Sequence, residues 1–280
     1  MSPLHFPRWG AGALLRQASD ALASVLFPAP CRVCGDTLLT ASRIPICGDC
    51  LDSLRPLSQP ICRQCGRPFV SPLAGLVPHP QCRLCRKGTY AFDAARSYGP
   101  YELPMVRAIL LLKYSSVPPL GQWFAARLAE VAAREPEIFA ADVVVPVPLH
   151  PTRLRERGYN QAELIAQPLA QRLSLPCRSY LLVRTKPRPN KLKLTRHERW
   201  ETVRGAYAIR EGAQVDNLRV LLVDDVFTSG ATLDTCARAL RRAGAAKILG
   251  LTVARVVPDA AFSSPARHPR WEEQQGELSE

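Results

Sequence analysis

Asp224 and Asp225 stand at the end of the apolar run Val220-Leu221-Leu222-Val223, and Thr228, Ser229, Gly230, Ala231 and Thr232 come next, before a helical pattern begins. The run reads as a buried strand, and ligands of open α/β sheets gather at the carboxyl ends of strands. A hydroxyl-rich turn that opens a helix offers one phosphate its backbone N–H groups, its hydroxyls and the helix's partial positive charge, with Gly230 allowing close approach. Two adjacent carboxylates would repel that phosphate; they suit instead the paired hydroxyls of a sugar lying beside it. An ordinary capped turn explains Thr228 or Ser229, but not the acid pair and three hydroxyls together. A Walker-type loop is excluded because no lysine succeeds the turn.

The second chemical signal is sulfur. Eight of the ten cysteines lie between Cys31 and Cys85, as the pairs Cys31 and Cys34, Cys47 and Cys50, Cys62 and Cys65, and Cys82 and Cys85, each with two residues between partners. That spacing lets both thiolates of a turn reach one ion, and two such turns supply the four sulfurs of a tetrahedral zinc site. Gly35 and Gly66 come directly after a pair, where a positive φ aims backbone N–H groups at sulfur. Eight sulfurs predict two zinc ions in closed, structural sites. Sharing between neighbouring pairs is the simplest assignment, and a cross-brace is the alternative. Disulfides and a redox dithiol fit poorly with a reducing cytoplasm and with the lack of a thioredoxin-like strand before any pair. If this module stands alone, removing zinc unfolds residues 29–90 and leaves the later domain's fold intact.

With 280 residues, 47% of them apolar, the chain can bury a core in one or two domains. No run approaches the ~20 apolar residues of a membrane span; Ala108 to Leu112 stops at Lys113, and Arg16 and Asp20 break the N-terminal segment. The expectation is a cytoplasmic protein without membrane insertion. A net charge of +13 and a pI near 9.6 favour polyanions. The charge concentrates in residues 1–90, with ten basic side chains against four acids, and in residues 184–205, with eight against two.

Elements must hold these groups in place. Residues 11–27 carry apolar side chains at helical spacing, predicting an N-terminal amphipathic helix within 1–28. The cysteine module spans 29–90. From 91 to 257, strands expected at Asp93–Tyr98, Val143–Val147, Val220–Val223 and Ile248–Val253 alternate with helices at Leu103–Leu112, Gly121–Arg134, Gln161–Leu173 and Thr232–Ala243. That alternation marks an α/β domain with a mostly parallel sheet flanked by helices. Residues 258–280 read as a disordered tail.

The stretch from Val220 to Thr232 resembles the phosphoribosyl pyrophosphate signature of type I phosphoribosyltransferases. Its companion, Val145-Pro146-Val147-Pro148-Leu149-His150 running into Arg153 and on to Gly158-Tyr159-Asn160-Gln161-Ala162, is similar to the ComF family, including GntX-like members, in which zinc ribbons precede a phosphoribosyltransferase domain. The resemblance implies that Asp224 and Asp225 hold the ribose at the catalytic centre and that Thr228 to Thr232 hold the 5′-phosphate. It places the pyrophosphate at the turn from Pro146 through Val147 and Pro148 to His150, within reach of Arg153 and Arg157. It makes residues 184–205, with Lys191, a hood over the site. Members usually carry glutamine where Lys191 stands and asparagine where Thr202 stands.

The implied reaction is transfer of phosphoribosyl from its magnesium-bound pyrophosphate to a nitrogen acceptor, in the setting of natural competence and DNA uptake. Single-stranded DNA and other competence proteins are the implied partners. The alternative is a non-catalytic single-stranded-DNA-binding protein that keeps a ribose and phosphate site, with Trp200 available for stacking.

Overall fold

The computed structural model describes residues 29–38, 43–187 and 195–257. The N-terminal helix, the tail and Lys191 fall outside the described residues. The described chain forms two compact units that divide between Ser53 and Leu54.

The first unit holds Cys31, Cys34, Cys47 and Cys50 and a short helix, α1 (Gly48–Asp52). The second begins with the other four cysteines and α2 (Arg83–Arg86), then enters β1 (Ala94–Pro100), α3 (Met105–Tyr114), α4 (Pro118–Ala133) and β2 (Val143–Pro146). It continues through α5 (Pro151–Arg157), α6 (Gln161–Arg172), β3 (Leu182–Arg184), α7 (Arg196–Val203), β4 (Tyr207–Ile209), β5 (Arg219–Phe227), α8 (Ala231–Arg242) and β6 (Lys247–Arg255). The second cysteine set thus shares a unit with the α/β sheet rather than with the first set.

Four strands form a parallel sheet in the order β1-β6-β5-β2. Helices cover such sheets on both faces, so the central strands are apolar throughout. Val220 to Val223 and Ile248, Leu249, Leu251 and Val253 are accordingly without exposed surface. Where α4 meets α6, Gly121 is required for space, since a Cβ there would stand 2.5 Å from the Leu164 carbonyl oxygen.

Within 91–257 the four strands and four helices expected from periodicity are all present, with ends shifted by a few residues. Several features went unread: the short helices α1 and α2 beside the cysteines, α7 within the expected hood, the pair β3 and β4, and α5. β3 and β4 pair antiparallel, Val183 opposite Ala208, at the base of the expected hood; three residues apiece are too few for a period. α5 begins directly after the Pro146–His150 turn, where no helix was expected. Its signals were in the sequence: Pro151 at the first helical position and Gly158, at φ 80°, just past the end.

The second cysteine knuckle is fastened to the sheet edge. The Ala95 amide donates to the Gln64 carbonyl at 2.7 Å, and the Gln64 side-chain amide donates to the Phe92 carbonyl at 2.9 Å. Arg96, 4% exposed, donates to the Arg63 carbonyl at 2.9 Å and grips Glu135 with two bonds of 2.6 and 2.7 Å. A bidentate pair of this kind keeps a buried guanidinium from standing uncompensated. The knuckle caps part of an edge that would otherwise offer open pairing groups.

Candidate ribose-phosphate site and cysteine centres

β5 runs two residues beyond the acid pair, so Asp224 and Asp225 belong to the strand and are 8% and 5% exposed. Each Oδ1 accepts from the next backbone amide: Asp225 N–H to Asp224 at 2.9 Å, Val226 N–H to Asp225 at 2.8 Å. The other oxygen of Asp225 meets Lys113 Nζ at 2.5 Å, from the last turn of α3. Lys113 was visible in the sequence only as the residue that ends an apolar run.

This cation splits the two acids. Burial pushes Asp224 well above the usual carboxylate range, and the neighbouring Asp225 charge adds to the rise. Burial acts the same way on Asp225, but Lys113 outweighs it and holds that carboxyl below its ordinary value. Lys113 in turn is raised, because Asp225 outweighs its own desolvation. Of the two, Asp225 is the carboxyl held ionised, with a cation beside it, and Asp224 is the one that takes up a proton more readily. This arrangement repels a nearby phosphate far less than two free carboxylates would.

After Phe227 the chain turns through Thr228, which is exposed, and Ser229, which is buried, into Gly230 at φ 81° and the first turn of α8. Sequence reasoning assigned Gly230 to ligand approach. The structure gives it a packing reason as well: a Cβ would lie 2.6 Å from the Phe227 ring and 2.7 Å from the Tyr90 ring. Tyr90 also donates its hydroxyl to the Ser229 carbonyl at 3.0 Å, and the Ala91 amide donates to Asp234 in the first turn of α8 at 2.7 Å. The segment joining the second knuckle to β1 thus braces the hydroxyl turn. Ala231 and Thr232 open α8 with their backbone at its N-terminus.

On the other side of β5, the Val147 amide donates to the Val223 carbonyl at 2.9 Å, keeping the Pro146–His150 turn, including Pro148, beside the acids. Asn160 caps α6, accepting from the Ala162 amide at 3.1 Å, and donates to the Val147 carbonyl at 3.0 Å. His150 caps α5, accepting from the Thr152 amide at 3.3 Å. Arg153 is about half exposed and reaches Glu156 at 3.7 Å. Arg157 donates to Gln161 at 2.5 Å and lies over the Tyr114 ring, whose residue adjoins Lys113. Tyr159 donates to the Leu112 carbonyl at 2.8 Å, tying the end of α3 to this turn. Trp200 stacks on Tyr90 with centroids 6.1 Å apart.

In each cysteine set the four sulfurs lie within 4.8 Å of one another. Sγ to Sγ distances of 3.7 Å between Cys34 and Cys47 and between Cys65 and Cys82 match the ~3.8 Å edge of a tetrahedron with ~2.3 Å zinc–sulfur bonds. The grouping selects sharing between neighbouring pairs: Cys31, Cys34, Cys47 and Cys50, then Cys62, Cys65, Cys82 and Cys85. The two knuckles repeat one pattern. Cys47 N–H points at Cys31 Sγ (3.2 Å) and Cys82 N–H at Cys62 Sγ (3.3 Å), while Gly35 and Gly66 take φ of 82° and 69° as predicted. Burial alone would raise the Cys31 thiol, yet amide donors from Cys34, Cys47 and Val33 bring it down to about 7, favouring the thiolate that binds metal. Both sets fit structural zinc. They are the only groupings of metal-type ligands among the described residues.

Comparison with known proteins finds two matching domain families. Residues 22–87 match the family described as the double zinc ribbon domain, and residues 160–259 match the phosphoribosyl transferase domain. The chain is 29% identical to Competence protein F of Haemophilus influenzae over 208 residues, covering 72% of this chain and 87% of that one. It is 28% identical to the DNA utilization protein YhgH of Salmonella typhimurium, covering 75% and 90%. It is 27% identical to Competence protein ComFC of Bacillus subtilis, covering 75% and 84%. No helix among the described residues is long and apolar enough to cross a membrane.

Proposed function

We propose that this chain, one of the ComF-like proteins that join a double zinc ribbon to a phosphoribosyltransferase-type domain, binds phosphoribosyl pyrophosphate with magnesium and passes the ribosyl phosphate to a nitrogen acceptor. The observation that carries this reading is the buried, charge-split acid pair beside a hydroxyl turn at a helix start. Asp225, held ionised by Lys113, accepts from one ribose hydroxyl, and the Asp224 carboxyl meets the other. Thr228, Ser229 and Thr232, with the amides of Gly230 and Ala231, surround the 5′-phosphate. The Pro146–His150 turn receives the pyrophosphate, with Arg153 and Arg157 at its edge.

The C1–oxygen bond breaks with its electron pair leaving on pyrophosphate, and the acceptor nitrogen bonds to C1 from the opposite face. The chain's contribution is position and charge, and no protein nucleophile is required. Magnesium would neutralise the leaving group. With Asp225 held by Lys113, an ion carried in on substrate oxygens and waters fits better than one caged by protein. Calorimetry with magnesium phosphoribosyl pyrophosphate tests this. Saturable binding is expected for the parent and at least tenfold weaker binding for Asp224→Asn/Asp225→Asn, from the loss of charged acceptors. Equal affinity in the two proteins would remove the ribose assignment.

A second activity, holding single-stranded DNA, is favoured by a cavity of about 410 Å³ where Trp200 lies among Arg204, Arg238 and Arg242, three cations against the two acids Glu201 and Asp234, and by the names of the relatives. Aromatic stacking with arginine contacts to phosphate is how such strands are held. Arg238→Ala/Arg242→Ala is expected to lower the slope of log affinity against log salt by about 1.4, roughly 0.7 per lost phosphate contact. An unchanged slope places DNA elsewhere.

A further inference from the structure

The strand order β1-β6-β5-β2 sets the acid pair between two neighbours. With pyrophosphate at the end of β2, a nitrogen attacking from the opposite face approaches on the side of β6. At the carboxyl end of β6 lies a cavity of about 280 Å³. Phe227, the first two residues of the hydroxyl turn, Thr228 and Ser229, and Arg255, the last residue of β6, line it. Arg67 and Leu84 of the second cysteine knuckle line it as well, together with Tyr90. No acidic residue lines it.

Its two cations differ. Arg255 is 3% exposed, sits 4.4 Å over the Phe227 ring and donates to the Cys65 carbonyl, and its Nε has no hydrogen-bond partner. With zinc bound, the four thiolates would carry a net charge of two negatives, and Arg255, held on the Cys65 carbonyl, would answer part of it. Arg67 is half-buried and pairs with no acid among the described residues. A cavity of this size is at the small end for ligands, suited to one ring rather than a nucleotide.

We propose that this cavity receives the acceptor, and that the acceptor is a planar ring bearing an oxyanion, packed against Tyr90 and Leu84 with the oxyanion on Arg67. The inference rests on the transferase reading above. The second zinc knuckle then builds the specificity wall of the site. In the reaction, the ring nitrogen bonds to C1 through its lone pair as pyrophosphate departs with the electron pair of the broken C1–oxygen bond; a nitrogen that carries a proton passes it to water.

The test uses the full chain loaded with zinc, with magnesium phosphoribosyl pyrophosphate present. Benzoate and the pyridine carboxylates are titrated against benzamide and the pyridine carboxamides, by calorimetry and saturation-transfer NMR. The acids are expected to bind at least tenfold more tightly than the amides. Arg67→Ala is expected to erase that preference while leaving zinc content and phosphoribosyl pyrophosphate affinity unchanged, since the Arg67 carbonyl that accepts from the Cys62 amide is retained. Arg67→Lys should restore part of it. Equal binding of acids and amides, an unaltered preference in Arg67→Ala, or no acid binding by protein that holds phosphoribosyl pyrophosphate overturns the pocket alone. Failure of the parent to bind phosphoribosyl pyrophosphate overturns the transferase reading and the acceptor role with it.

Discussion

Lys113→Met is expected to destabilise the protein by about 3–5 kcal/mol at neutral pH, the usual penalty for orphaning one member of a buried ion pair. Lys113 and Asp225 are 20% and 8% exposed at the side chain, so solvent screens them little. The pH dependence separates this loss from simple packing damage. Asp225, lowered from 3.8, contributes stability that is present above that value and lost as pH falls through its folded pKa. Lys113, raised from 10.5, contributes stability that is present below that value and lost as pH rises through its folded pKa. The pair therefore acts across the whole range between.

Without the lysine, both acids face burial and each other, and the native state takes up a proton that the unfolded chain releases. The deficit of the variant should shrink on acidification from pH 8 to pH 5. Thermal melts of parent and variant across that range measure it. Lys113→Met/Asp225→Asn should recover most of the loss, because removing both charges leaves none orphaned. A deficit independent of pH, with no recovery in the double variant, would reduce Lys113 to a packing residue.

What the sequence made legible was local. The acid pair and the hydroxyl turn are contiguous, and each cysteine pair spans four residues, so spacing alone carried the chemistry. Strand and helix patterns were long enough to count. Lys113 was not legible as a site residue, because nothing near it in the chain says which strand end its helix will face; only the sheet order brings α3 against β5. The brace on the hydroxyl turn was hidden for the same reason, its partners Tyr90 and Ser229 lying 139 residues apart. The stacking of Trp200 on Tyr90 was hidden in the same way, since an aromatic residue in a basic segment carries no local sign of what will lie against one of its faces. Arg157 was read from its charge, and its hydrogen bond to Gln161 depends on α5, whose short length hides it from periodicity.

Zinc loss is expected to affect the two knuckles unequally, where the spacing of the cysteines treated them alike. Cys62, Cys65, Cys82 and Cys85 belong to the hydrophobic cluster that contains Tyr90, Phe92, Phe227 and Leu233, and their knuckle supplies the acceptors for Arg96 and Arg255. Without the metal, four buried sulfurs lose their shared ligand and the knuckle loses its reason to fold. Tyr90 then loses the wall beside it, and with it go the hydroxyl bond to Ser229 and the ring contact at Gly230. Cys62→Ser/Cys65→Ser should therefore raise hydrogen exchange in residues 90–96 and 228–234 and weaken phosphoribosyl pyrophosphate at least tenfold. Cys31→Ser/Cys34→Ser lies in the other compact unit and should leave both readouts unchanged while halving the zinc content. Equal effects from the two double variants would mean that the second knuckle does not brace the turn. No effect from either would make both ribbons independent of the site.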